Sequence, residues 1–155
     1  MTFRSVHHPG DVSRPWLALQ AQARPVAMAL LVVMTVGLAA ALRGNSILWP
    51  FVGGATVAYA LGAAYAQGRM FMTPAQVEVD GTNASVQSVW EAAAEPVVAA
   101  MRPVSSAKLQ NGELSVGLGD TIVTFEPDDW PEFDALVGAF RQSAREAFAG
   151  LEGGP

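Results

Sequence analysis

The sequence predicts a membrane α-helical hairpin of two transmembrane helices followed by a small soluble α+β domain, and three observations point there. Of 155 residues, 51% are apolar and only 15% charged, against roughly a quarter charged in ordinary soluble domains. Charge is also unevenly spread, since Arg43 is the one charged residue between Arg24 and Arg69. Beyond Arg69 the balance reverses: residues 70–155 hold 13 Asp+Glu and 4 Lys+Arg, while residues 1–69 hold 5 Arg and 1 Asp. The chain is therefore divided into an N-terminal arm at 1–24, partly interfacial, a transmembrane hairpin at 25–68 and an acidic domain at 69–155.

Residues 26–42 (VAMALLVVMTVGLAAAL) form an apolar run whose one polar side chain is Thr35. As a helix this run is about 26 Å long, close to a hydrocarbon core of ~30 Å. Pro25 suits the first helical turn, where its missing N–H is not needed. Arg24 and Arg43 flank the run and can snorkel to the two headgroup layers. A turn at Gly44, Asn45 and Ser46 then leads into a second uncharged run at 47–66 (ILWPFVGGATVAYALGAAYA). A cleaved signal peptide is disfavoured because the polar lead is long for the basic segment of such a peptide. A soluble hairpin is disfavoured because the remaining chain is too small to cover two helices that are apolar on all faces.

The second run differs in chemistry from the first. Gly54, Ala58, Gly62 and Ala66 fall four apart, and Ala55 and Ala63 widen the same face. Small side chains at that spacing let another helix backbone approach closely, so these four residues are the expected helix-packing interface, towards the first helix or a neighbouring subunit. Trp16, Arg24, Arg43, Trp49 and Arg69 are the expected membrane-interface anchors, because amphipathic rings and long cationic side chains collect at headgroup level. Arg4, Arg14 and Arg24 precede the first helix and Arg69 follows the second, while the turn holds only Arg43. Arg-rich flanks stay inside. The expected location is the cell inner membrane, multi-pass, with both termini cytoplasmic.

In the arm, Pro9, Gly10 and Pro15 argue against one continuous helix, and Trp16, Leu17 and Leu19 suit a short turn lying on the membrane surface. In the acidic domain, residues 76–80 (QVEVD) alternate like a strand ended by Gly81. Asn83 is placed to cap a helix running through Val86, Val89, Trp90 and Ala93, interrupted or restarted at Pro96 and continuing to Met101. Asn111-Gly112 between alternating segments is a type I′ hairpin signal, and Gly119-Asp120 makes a second turn, giving a three-stranded antiparallel meander over 107–125. Asp129 with Glu132 resembles a capping box. Trp130, Phe133, Val137, Phe140, Ala144 and Phe148 then form the apolar stripe of a C-terminal amphipathic helix.

Chemistry-bearing motifs are few. With no cysteine, a thiol nucleophile, a disulfide framework and a Cys-ligated metal are excluded. Asp128, Asp129, Glu132 and Asp134 are explained by capping and the helix dipole rather than by calcium. Gly112, Gly117 and Gly119 lack the Lys-Ser/Thr of a phosphate loop. His7 and His8 are expected to be solvated arm residues. No nucleophile, base and orienter can be assembled, so the chain is not expected to be an enzyme, and no cofactor or metal is expected. The hairpin carries no Asp, Glu, Lys or Arg away from its turn, which removes the usual ion pathway.

In order of elements, residues 26–148 resemble small bacterial membrane proteins in which a two-helix hairpin carries a cytoplasmic PH-like domain, a sheet followed by one amphipathic helix. The resemblance implies a tail that binds a soluble ligand or signalling protein, while its acidity speaks against anionic headgroups. The helix expected after Asn83 has no place in such a sheet. The functional expectation is a non-catalytic accessory subunit of a respiratory or photosynthetic membrane complex, whose partners are other integral membrane subunits and the lipid bilayer, with no nucleic acid. The alternative is an independent membrane-anchored sensory or regulatory protein.

Overall fold

The computed structural model describes residues 1–44, 46, 48–93 and 100–152, without the side chains of Trp49, Pro50 and residues 150–152. The chain divides into two compact units, one formed by Met1–Asp11 with Thr73–Pro155 and the other by Val12–Met72.

The first unit is α+β. Its sheet has six antiparallel strands in sequence order: β1 (Thr2–Arg4), β2 (Pro74–Asp80), β3 (Asn83–Ser88), β4 (Arg102–Gln110), β5 (Glu113–Leu118) and β6 (Thr121–Phe125). A one-turn helix, α3 (Val89–Ala92), follows β3, and α4 (Phe133–Glu152) follows a 3₁₀ turn at Pro127–Asp129. β3 meets β4 only at Asn83↔Pro103 and Ala84↔Arg102, so the two halves of the sheet diverge beyond that corner. Inward residues of both halves (Val77, Val79, Val104, Leu114, Val116, Leu118 and Phe125) close on Leu136, Val137, Phe140 and Ala144 of α4.

Several expectations are met for the reasons given. Asn111 and Gly112 both adopt positive φ, 54° and 87°, as a type I′ turn requires. The second turn has Gly119 at φ 61° between the paired Leu118 and Thr121.

Others are corrected. Asn83 opens a strand, not a helix: Gly81 at φ 55° makes a tight turn that returns the chain antiparallel, with Asp80 opposite Asn83 and Val77 opposite Val86. The helix cap falls instead on Ser88, whose Oγ accepts from the Glu91 N–H while the Glu91 carboxylate accepts from the Ser88 N–H. Pro96 lies outside the described residues, and Met101, which is described, has non-helical backbone. Asp129 does not cap α4, because it ends the 3₁₀ turn and the chain first passes through extended Trp130. Phe148 is 58% exposed, since α4 outruns the sheet, whereas Leu136, outside the expected stripe, is fully buried.

The largest departure is at the N terminus. Where a membrane-surface arm was expected, Thr2–Arg4 pairs with Gln76–Glu78, and Phe3 is buried in the core at 6% exposure. Ser5 Oγ donates to the Pro74 carbonyl at 3.1 Å, and the Val6 N–H donates to the Asp129 carbonyl at 2.9 Å. Nothing in a three-residue strand reveals the partner that orders it. Phe3→Ala should therefore destabilise this unit by about 3 kcal/mol, the low end for a buried Phe because an edge strand relaxes more freely than a central one. Urea unfolding of the detergent-solubilised protein measures it, and an unchanged midpoint would show that β1 contributes nothing.

The second unit is a pair of helices, α1 (Arg14–Leu42) and α2 (Leu48–Met72). α1 starts at Arg14 rather than at residue 26 and runs through Pro25. Pro15 occupies the first turn, the position expected of Pro25, and the interior Pro25 costs one backbone hydrogen bond. α1 ends where Gly44 adopts φ 73° and donates to the Ala41 carbonyl. α2 continues past residue 66 to Met72.

Candidate functional site

The residues singled out in the apolar half form a seam between α1 and α2. A Cβ placed on Gly54 would lie 3.1 Å from Val33 Cγ1, and one on Gly62 would lie 2.9 Å from Val26 Cγ2, 3.1 Å from its backbone nitrogen and 3.2 Å from its Cα. Ala58 and Ala66 are buried. At the other end the roles swap, and Gly37 of α1 receives the Phe51 ring of α2 so closely that no Cβ fits between them. Gly62 thus lies against the Pro25-Val26 segment, where only a residue without a side chain admits backbone contact. This close approach is the use of small residues that lipid-embedded helices favour.

The outer surface of the pair is apolar. Met28, Leu31, Val32, Met34, Val36 and Leu38 on α1 and Val52, Val57, Tyr59, Leu61 and Tyr65 on α2 are all more than half exposed. α1 is long and apolar enough to span a membrane, and almost none of its most apolar stretch is buried. The hydroxyls of Thr35 and Thr56 each donate to a carbonyl one turn earlier, so neither is left unsatisfied in an apolar surrounding. A shallow groove of about 480 Å³ runs along α1 beside Phe51, lined by Met34, Thr35, Gly37, Leu38 and Ala41. It offers apolar contact and no reactive group. Of the expected anchors, Trp16 is 54% exposed and Arg24, Arg43 and Arg69 are exposed, while the side chain of Trp49 lies outside the described residues.

His7 and His8 are not free arm residues. His7 Nε2 lies 3.0 Å from Asp129 Oδ1. His8 Nδ1 accepts from the Gly10 N–H at 3.0 Å, which leaves its Nε2 as the donor to Gln76 Oε1 at 3.1 Å. Ser5, His7 and Asp129 thus come together, the residue types of a hydrolytic triad. Their geometry is a structural clasp instead: the Ser5 hydroxyl is committed to the Pro74 carbonyl and accepts the His7 backbone N–H. Among the described residues no three His, Cys, Asp or Glu side chains are grouped to hold a metal ion. Asp128 and Glu132 are exposed, and no hydrogen bond or ion pair joins them to the clasp.

What these elements define is a class: an α+β domain whose first strand is separated from the rest of its sheet by a hydrophobic helical pair. The sequence matches no known family model, and neither a curated protein nor a solved structure matches it.

Proposed function

We propose that this chain is a non-catalytic accessory subunit of a bacterial multisubunit inner-membrane complex, with respiratory and photosynthetic assemblies as the nominated hosts. α1 and α2 cross the bilayer as a hairpin, and the acidic domain docks on a partner's cytoplasmic surface. The observation that carries the two-crossing topology is the pairing of β1 with β2. β1 precedes α1 and β2 follows α2, so both ends of the helical pair must emerge on the same side of the membrane. A single crossing would separate two hydrogen-bonded strands by ~30 Å of hydrocarbon. If α1 crosses, α2 returns.

The Arg distribution makes that shared side cytoplasmic. In this arrangement Arg24 sits at the headgroups, and the first turns of α1 stand clear of the hydrocarbon. Trp16 then lies about 12 Å along the helix from Arg24, at the outer reach of the headgroup layer. Arg24, Arg43 and Arg69 retain the anchoring role.

The rival reading, an independent sensory or regulatory protein, is favoured by β3: with a strand in place of the expected helix, the order of elements agrees more closely with a PH-like sheet capped by one C-terminal helix. Purification of the tagged protein in gentle detergent separates the two. The subunit reading expects stoichiometric co-purification of integral membrane proteins, with a C-terminal reporter active in the cytoplasm. Isolation of the chain alone at native expression would sink it, and an exported reporter would overturn the orientation.

A further inference from the structure

We propose that the free edge of β6 accepts a Lys/Arg-rich extended segment from a cytoplasmic loop of a neighbouring membrane protein as a seventh strand; the inference rests on the membrane-subunit reading above. The hydrogen-bonding register identifies the groups involved. The two-residue turn after Leu118 makes Leu118↔Thr121 a hydrogen-bonded pair, so Val116↔Val123 and Leu114↔Phe125 are hydrogen-bonded as well. The alternate residues Ile122 and Thr124 therefore direct their N–H and C=O groups away from β5. Among the described residues nothing pairs with them. α4 covers the inner face of the sheet rather than this edge, and the Ile122 side chain is 75% exposed. An uncharged, β-branched edge strand (TIVTF) with open backbone groups is a template for strand addition.

Charge selects the occupant. Asp120 and Glu126 bracket the strand and Asp128 follows; β6 itself contains no cation, and Arg102 of β4 reaches its first residue, donating to the Thr121 hydroxyl, which donates in turn to Asp120, both at 3.3 Å. A second copy of this chain fits less well: antiparallel self-pairing with Ile122 opposite Thr124 sets Asp120 opposite Glu126 of the other copy twice, pairing with Thr124 opposite Thr124 sets Asp120 opposite Asp128, and pairing with Ile122 opposite Ile122 gives the carboxylates no cation partner. A segment with Lys or Arg at its ends meets carboxylates at both. Cytoplasmic loops of membrane proteins are the segments in which Lys and Arg are enriched, and they lie within reach of a domain held beside the membrane.

Proline tests the edge selectively. At Ile122 or Thr124 it deletes an outward N–H while leaving the β5–β6 ladder intact, as edge strands permit. A photo-crosslinking amino acid at Ile122, Thr124 and, as control, Gln142 on the exposed face of α4 would be introduced into the full-length protein in native membranes, with crosslinked peptides identified by mass spectrometry. Expected are adducts at Ile122 and Thr124 to one Lys/Arg-rich loop peptide, absent at Gln142; those at Ile122 fall at least tenfold with Thr124→Pro, those at Thr124 fall as much with Ile122→Pro, and both fall with Asp120→Lys plus Glu126→Lys. Wild-type resistance of the purified variants to pulse proteolysis confirms that they fold. Adducts to an apolar or acidic segment, to another copy of this chain, or unaffected by proline at the other of the two positions overturn the proposal. Absence of adducts while membrane partners still co-purify overturns the edge alone; absence of both overturns the subunit reading.

Discussion

Phe140→Ala should lower the unfolding free energy of the α+β domain by about 3–5 kcal/mol. The ring is fully buried in the middle of α4, stacked on Phe125 with centroids 5.6 Å apart and planes at 29°. Phe125 in turn meets Trp130 edge-on at 5.4 Å and 80°. Truncation therefore removes the ring stacked on Phe125 and leaves a cavity in the core cluster that also holds Leu114, Val116 and Leu136, which belong to β5 and α4 and have little freedom to collapse. Domain stabilities of roughly 5–15 kcal/mol make this a large fraction of the total. Pulse proteolysis of the detergent-solubilised protein reads it without requiring the domain in isolation, which matters because its first strand lies on the far side of α1 and α2 in sequence. A loss below 1 kcal/mol would show that α4 is not the lid of this core.

Gly62→Leu should prevent α1 and α2 from packing, and on the membrane-subunit proposal the protein should accumulate at a small fraction of the wild-type level. The atoms that an added side chain meets include the backbone nitrogen and Cα of Val26, which cannot swing aside. The cost therefore lies at or beyond the upper end of the roughly 1–3 kcal/mol typical of overpacking. Gly53→Leu is the matched control, because nothing lies within 4 Å of its added Cβ. Since the contacted helix belongs to the same chain, the defect should appear as degradation rather than as selective loss from an otherwise intact assembly. Equal accumulation of the Gly62 and Gly53 variants would show that the close contact does not hold the pair together. Gly37→Ala should be milder, because its obstacle is the Phe51 ring, a side chain free to rotate.

Much of this architecture was legible in the sequence because local chemistry decides it. The run at 26–42 is too uniformly apolar for a soluble surface, and the four-residue spacing of Gly54, Ala58, Gly62 and Ala66 declares a face that another backbone can approach. Asn111-Gly112 accepts positive φ at two successive residues, which ordains a hairpin whatever surrounds it. The acidic composition after Arg69 follows from counting alone. Even so, the sequence left open whether the small face meets the first helix or another subunit, because spacing describes one helix and not its partner.

The tertiary structure decided what depends on residues far apart in the chain. Thr2–Arg4 has no periodicity long enough to be read, and becomes a strand only because Gln76–Glu78 offers an unpaired edge. Residues 83–88 carry a cap residue and apolar spacing suited to a helix, yet they pair with β2 across the Gly81 turn, which buries Ala84 and Ser85. His7 and His8 acquire partners 122 and 68 residues away, which no motif announces. By itself the sequence determined the apolar helical pair, the hairpin turns and the amphipathic C-terminal helix, since each is a matter of side-chain period or allowed φ. Only the fold determined that the first strand completes the sheet whose other strands follow that pair in sequence, because burial and long-range hydrogen bonding override the weak local preferences of short segments.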